Sequence, residues 1–160
     1  MTRTTRTPRA ELDLGILLAL AYQEFVRQLH DDLAEQGYDD LGGSDGFVFR
    51  ALAEQPMKVS ALAGRLDISK QGAGQIVDDM ERRGYVVRRP HPDDARARLV
   101  DLSARGRDAL AAARTFHRHR ETELVDELGP PVVGSLRTAL TALSGGRSEL
   151  RDPRLRARYL

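Results

Sequence analysis

The sequence predicts a mainly α-helical fold that carries one small β-hairpin, in a single domain spanning 11–146. Two long stretches, 11–36 and 103–144, have apolar residues at helical spacing, which predicts helices near both ends of the chain. Two segments of alternating or β-branched residues, 85–89 and 98–102, predict the hairpin between them. A chain of 160 residues with this order of elements fits one domain.

The first predicted helix covers 11–36 and begins with a run that is apolar on nearly every face. Between residues 12 and 21, only Asp13 and Gly15 interrupt the apolar side chains. A helix that is hydrophobic all round must be covered on more than one side. In a chain this short, a second copy of the same chain is the most suitable partner to cover this helix. We therefore expect a homodimer whose arm is built from the helices in 11–36 and 103–144.

A short helix, a tight turn and a longer helix follow one another in the middle of the chain. A helix over 45–54 precedes a short helix that ends near Leu66, and Asp67 and Ile68 form the turn. Ser69 is a suitable N-cap for the longer helix, because its hydroxyl can accept a hydrogen bond from the first turn. Ser103 is expected to cap the long helix that follows the hairpin in the same way. This order of elements is that of a helix-turn-helix.

The two faces of the longer helix differ in kind. One face has apolar residues at helical spacing, namely Ala73, Ile76, Val77 and Met80. The other carries Gln71, Gly74 and Gln75 where soluble helices usually carry Lys and Glu, so it can approach a partner closely. The helix is predicted to end at Gly84. Arg82 and Arg83 precede this glycine, and their positive charges are favourable at the negative end of the helix dipole.

The hairpin is predicted to have a long tip over 91–97, because Pro90 and Pro92 are expected to interrupt its first strand. Asp94 and Arg96 lie in this tip, and Arg98 closes it. We expect the Asp94 carboxylate to bridge within the hairpin, most readily to Arg98, which stiffens the tip and leaves Arg96 pointing outward. On its own, the same pattern is more typical of a solvated, salt-bridged loop.

The charge is distributed unevenly along the chain. Residues 58–107 hold eleven basic and seven acidic side chains, and the segments 1–10 and 147–160 are also basic, on an otherwise acidic frame. A basic centre of this kind suits nucleic acid better than a membrane, which would favour an amphipathic basic helix. We expect 1–10 to be a disordered tail and 147–160 to be an Arg-rich tail.

The composition excludes several functions. The chain contains no Cys, so disulfides, thiolate zinc sites and cysteine-based sensing are excluded. Its most apolar run, 14–21, is too short to span a bilayer, which indicates a cytoplasmic protein. No nucleophile has a suitable base, so we expect no enzymatic activity and no cofactor. His117 and Glu121 have chelating spacing but lack a further ligand, so no metal site is predicted.

The run from 59 to 106 resembles the winged helix-turn-helix of the MarR family of bacterial transcription regulators. Its most specific part is the wing, which reads Asp94-x-Arg96 and then Leu102-Ser103-x-x-Gly106. The flanking helices match the family in order and length. The resemblance implies a DNA-binding lobe at about 45–102, joined to dimerisation helices at about 11–36 and 103–144.

The resemblance also implies a homodimer that binds a pseudo-palindromic operator in double-stranded DNA, most often as a repressor. Glutamine can pair with adenine and Lys70 suits a phosphate, whereas the family's wing arginine enters the minor groove. The predicted DNA-binding residues are therefore Ser69, Lys70, Gln71, Gly74, Gln75, Arg96 and Arg98. Asp94 is predicted to brace the wing, and Asp78 and Asp79 to repel phosphate and so bound the footprint.

Proteins of this family often respond to a small phenolic or anionic ligand, bound in a cleft between the arm and the DNA-binding lobe, by releasing DNA. The aromatic residues that we expect to line such a cleft are Tyr22, Phe25, Phe47 and Phe116, which are equally suited to a core. Two alternatives stay open: a ligand-independent DNA-binding protein, and a module that uses the winged helix to bind other proteins. The second would show exposed apolar residues on its recognition face.

Overall fold

The computed structural model describes residues 12–144, which form six helices and one two-stranded antiparallel sheet. The elements in chain order are α1 (Leu14–Glu35), α2 (Asp45–Leu52), α3 (Val59–Leu66), α4 (Lys70–Arg82), β1 (Val86–His91), β2 (Asp94–Leu102), α5 (Ala104–Leu128) and α6 (Pro130–Leu143). This order confirms the predicted fold class. The expected tails at 1–10 and 147–160 lie outside the described residues.

Two serines begin the helices on either side of the wing, as the sequence predicts for both. The Ser69 hydroxyl accepts a hydrogen bond from the Gly72 N–H at 3.0 Å, and the Ser103 hydroxyl accepts one from the Gly106 N–H at 3.0 Å. At the other end of α4, Gly84 takes a left-handed conformation with φ +82°. The chain can therefore turn sharply from α4 into the first strand.

The hairpin is longer, and its tip shorter, than the sequence predicts. The strands pair from Val86 with Leu102 to His91 with Asp94, so that only Pro92 and Asp93 connect them. The predicted long tip over 91–97 is therefore wrong. Pro90 does not interrupt the sheet, since both strands are edge strands and a register shift after Pro90 absorbs the irregularity.

A third segment fastens the base of the wing to the helical core. Met57 and Val100 exchange two backbone hydrogen bonds, at 3.0 and 2.8 Å, as an isolated antiparallel bridge. The core collects side chains from α2, α3, α4, both strands and the start of α5. Its largest fully buried members are Tyr85, Leu62, Met80, Val48, Val77, Val86 and Val100.

The two ends of the described chain carry apolar side chains that no part of it covers. On α1, Leu14 is 62% exposed, and on α6, Leu143 is 60% exposed. Further exposed apolar residues are Leu12, Ile16, Leu17, Leu20, Tyr22, Leu128, Val132, Leu136 and Leu140. Between residues 12 and 144 there is no helix with the length and hydropathy that crossing a bilayer requires.

Candidate nucleic-acid interface and adjoining cavity

The solvent face of α4 is polar and closely approachable. Ala73, Val77 and Met80 are fully buried, which turns Gln71 and Gln75 outward on the opposite side. Lys70 is exposed at the start of the helix. The helix therefore presents two amides and one ammonium group to solvent.

The two glycines of α4 differ in what surrounds them. A Cβ at Gly72 would lie 3.2 Å from the Ser69 hydroxyl, whereas a Cβ at Gly74 would meet nothing within 4 Å. Gly72 therefore makes room for the cap, and Ser69 has a structural role at the head of the helix. Packing inside the protein does not require a glycine at position 74, and its absent side chain leaves the backbone open to a partner.

The acidic residues of α4 are held in ion pairs. Arg88 of β1 binds Asp78 at 2.5 Å and also binds Glu81, while Asp79 pairs with Arg82 and Arg83. Asp78 and Asp79, which are predicted to repel phosphate and bound the footprint, are thus both paired with arginines. Arg88 was not predicted as a functional residue, because its partners lie seven and ten residues earlier on another element.

In the wing, Asp94 braces the backbone. Its Oδ1 accepts a hydrogen bond from the Arg96 N–H at 3.1 Å, and no ion pair joins it to Arg98 within residues 12–144. The predicted bridge to Arg98 is therefore wrong. A two-residue turn places Asp94 at the start of β2, where a short carboxylate most easily reaches an amide two residues along. Arg96 and Arg98 are exposed.

At the base of the wing, Asp101 forms ion pairs with two arginines, neither of which was predicted as a functional residue. Its carboxylate lies 3.3 Å from Nε of Arg89 and 3.0 Å from Nη2 of Arg107. Asp101 is buried, while both guanidinium groups are more than half exposed. The pairs therefore fix two cations on the surface between β1 and α5.

A buried ion pair joins α2 to the end of α4. Arg83 binds Asp45 at 2.7 Å, Asp79 at 2.5 Å and the carbonyl of Asp40 at 2.7 Å. The hydrogen bond to Asp45 is the main reason that the pKa of Arg83 is raised above its ordinary value. Nearby, burial and a hydrogen bond to Asp40 raise the pKa of Tyr85 to about 12.

A cavity of about 370 Å³ lies between α1, α2 and α5, beside this ion pair. Tyr22, Phe25 and Phe47, three of the four aromatic residues expected at a ligand cleft, line it. Phe116 is not a lining residue; it is buried behind Phe25, with the two rings edge to face at 5.5 Å. In the structure Phe116 is a core residue.

Two basic groups, Arg50 and His117, lie in the cavity wall, where the sequence predicts neither. Arg50 makes no ion pair or side-chain hydrogen bond with any residue in 12–144, and its pKa is lowered by burial and by the charge of Arg114. His117 stacks on Phe25 at 5.3 Å, and burial and the Arg50 charge lower its pKa. Arg50 gave no signal in the sequence because it is one arginine within a short helix, and His117 is one of several basic residues of α5.

The spacing of His117 and Glu121 does not produce a metal site in the described part of the chain. No group of three or more metal-ligating side chains comes together there. Glu121 instead pairs with Arg137 of α6.

Comparison with known proteins agrees with this geometry. Residues 39–97 match the model of the MarR family. The structure of RV1404 from Mycobacterium tuberculosis has a TM-score of 0.70 and 24% identity, covering 89% of this chain and 100% of that one. A mutant of MarR from E. coli has a TM-score of 0.61 and 21% identity, covering 85% and 99%.

A third structure, of a MepR mutant from S. aureus, was solved bound to an oligodeoxyribonucleotide. It has a TM-score of 0.58 and 16% identity, covering 84% of this chain and 98% of that one. A comparison with curated protein sequences gives no significant match. At these identities the structural likeness shows the fold, which confirms the predicted winged helix-turn-helix.

Proposed function

We propose, from the match of residues 39–97 to the model of the MarR family, that this chain is a regulator of that family: a homodimeric, DNA-binding repressor released from its operator by a small anionic ligand. In this proposal the lobe at about 45–102 binds DNA, and the helices at about 11–36 and 103–144 form the dimer arm. A regulator of this kind acts in the cytoplasm.

The observation that carries the proposal is the character of the recognition face. Gln71, Gln75 and Lys70 are exposed on α4, with Gly74 between the two amides. Amide side chains suit base edges in the major groove, and a lone ammonium group suits a phosphate. None of the exposed large apolar residues of the described chain lies on α4 or the wing, which favours DNA over a protein partner.

The wing supplies the second contact in the proposal. Arg96 and Arg98 are exposed on β2, beyond the end of α4. A guanidinium group gains most in a narrow A·T-rich minor groove, where the negative potential is concentrated. The recognition helix would then read the major groove while the wing arginines hold the adjoining minor groove.

Exposed apolar surface on α1 and α6 supports a dimer. Uncovered leucines at both ends of the described chain need a partner, because contiguous apolar surface of this kind is uncommon on soluble monomers. Two-fold symmetry would place two copies of α4 in successive major grooves, roughly 34 Å apart. The operator would accordingly be pseudo-palindromic.

The cavity between α1, α2 and α5 supports a ligand with an aromatic ring and one negative charge. Its wall is largely apolar, and Arg50 offers a cation that no residue in 12–144 neutralises. Asp45 also lines the cavity but is engaged by Arg83. A carboxylate on the ligand would supply the missing partner of Arg50 while the ring packs against Phe25.

The DNA-binding part of the proposal is tested by selecting fragments from a random duplex library with the purified full-length protein. We expect a pseudo-palindromic motif, and an affinity that falls steeply as salt is raised. Lys70→Ala should weaken binding to all sequences and reduce the salt slope by about one unit. A protein that selects no motif would overturn the proposed function.

The ligand part is tested with benzoate as the probe and benzyl alcohol as its neutral counterpart. We expect benzoate to raise the melting temperature and to release the selected DNA, and benzyl alcohol to do neither. Arg50→Met should abolish the response, whereas Arg118→Met, on the exposed side of α5, should leave it intact. Equal responses of wild type and Arg50→Met would contradict the assigned site.

A further inference from the structure

Three polar side chains form one row along the solvent face of α4. Gln71, Gln75 and Asp78 are spaced by four and three residues, which places them on a single stripe of the helix. At about 1.5 Å per residue the row is about 10 Å long, which spans roughly three steps of about 3.4 Å along a DNA strand. The Asp78 side chain is 68% exposed, so it is open to a partner.

Asp78 is held and partly neutralised by the wing. Nη2 of Arg88 donates to its Oδ1 at 2.5 Å, while the second oxygen, Oδ2, has no hydrogen bond within residues 12–144. The other terminal nitrogen of Arg88 binds Glu81, one turn further along α4. Arg88 is thereby fixed between two carboxylates, so it orients Asp78 and offsets the repulsion that a bare carboxylate would meet near phosphates.

We infer that Asp78 is a third base-reading residue, and that it accepts a hydrogen bond from the N4 amino group of a cytosine in the major groove. An ionised carboxylate is an acceptor only, and it therefore needs a donor on the base edge. Cytosine offers N4 as a donor, whereas adenine places the N7 acceptor beside its amino group, which repels a carboxylate. Arg88 is the positioning residue that keeps Oδ2 available. This inference rests on the proposed function, in which α4 enters the major groove.

The test compares the motifs selected by four full-length proteins from one random duplex library: wild type, Asp78→Ala, Asp78→Asn and Glu81→Gln. Glu81→Gln is the matched control, because it removes one negative charge beside Arg88, keeps an oxygen that accepts from Arg88 and lies off the row. Wild type should prefer cytosine at one base pair of each half-site. Asp78→Ala should reduce that preference roughly 5- to 100-fold and leave the other positions unchanged.

Asp78→Asn gives the sharpest outcome, because an amide can pair bidentately with adenine N6 and N7. We expect the preferred base at that position to change from cytosine to adenine, and Glu81→Gln to select the wild-type motif. If Asp78→Ala and Glu81→Gln both tighten binding to all sequences and leave the motif unaltered, Asp78 is only the counter-charge of Arg88 and the inference is overturned. A wild-type protein without any motif would instead overturn the proposed function, and the inference with it.

Discussion

At the level of single residues, Gly106 shows how a short motif is dictated by one close approach. A Cβ at this position would lie 2.1 Å from the carbonyl oxygen of Tyr85, which is backbone and cannot move aside as a flexible side chain would. The same carbonyl accepts the Ser103 N–H at 3.0 Å. The glycine therefore lets α5 begin directly against the turn that leads into the wing.

We expect Gly106→Ala to lower the free energy of unfolding by about 1–3 kcal/mol, because the added methyl group must push α5 away from the wing. Gly74→Ala is the control, since a Cβ there meets nothing and alanine is about 1 kcal/mol more favourable than glycine inside a helix. Thermal and chemical denaturation of both variants check this pair. Equal effects of the two substitutions would show that the contact with Tyr85 is easily relieved.

The wing residues Asp94 and Arg96 give a second prediction at this scale. Arg96→Ala should weaken operator binding by about 1–3 kcal/mol without changing the melting temperature, because an exposed arginine supports no packing. Asp94→Ala should also weaken binding, although it removes a negative charge, because the Arg96 N–H loses its acceptor.

Asp94→Asn keeps an acceptor oxygen in place and should retain most of the affinity. Fluorescence anisotropy with the selected operator measures all three variants. Tighter binding by Asp94→Ala would mean that net charge governs the wing and that bracing of its backbone is unimportant.

At the level of elements, the ion pair of Arg83 with Asp45 fixes the end of α4 against α2. The Asp45 side chain is 5% exposed, so removal of its partner leaves a buried charge. We expect Arg83→Ala to destabilise the protein by about 3 kcal/mol or more. Arg82→Ala should have almost no effect, because that side chain is 74% exposed. Urea denaturation of the two variants, which differ by one position, measures the contrast.

The elements that the sequence predicts well are those specified locally. Both serine caps, the turn at Gly84 and the order of the helices follow from residues within a few positions of one another. The predicted wing tip is too long because a proline ends most strands, whereas the edge strand β1 accommodates Pro90.

The electrostatic framework of the site could not be predicted for a different reason. Arg83 and Asp45 are separated by 38 positions, and Tyr85 and Asp40 by 45. No helical or strand periodicity of the sequence predicts contacts between residues so far apart, because only the tertiary fold brings them together. The same holds for Arg50, which sequence alone could not distinguish from a solvated arginine.

At the level of the whole molecule, we expect an obligate dimer. Sedimentation velocity should give a dimer at micromolar concentration, and Leu17→Glu should dissociate or aggregate it, because Leu17 is among the uncovered apolar residues of α1. Gln23→Glu adds the same charge at an exposed polar position of α1 and should leave the dimer intact. A folded wild-type monomer would rule out both the arm and the two-fold symmetry of the operator.

The junction between the wing and α5 has a mechanical consequence. The Ser103 hydroxyl donates to the carbonyl of Gly84 at 2.6 Å, next to its backbone bond with Tyr85, so no hinge separates the end of α4 from the start of α5. The lobe and α5 should therefore rotate as one rigid lever. With 25 residues at about 1.5 Å each, α5 is roughly 37 Å long, so tilting it by about 5° about its far end displaces the lobe by roughly 3 Å. That displacement is close to one base-pair step, and a small change of tilt is thus enough to put two lobes out of phase with the DNA helix.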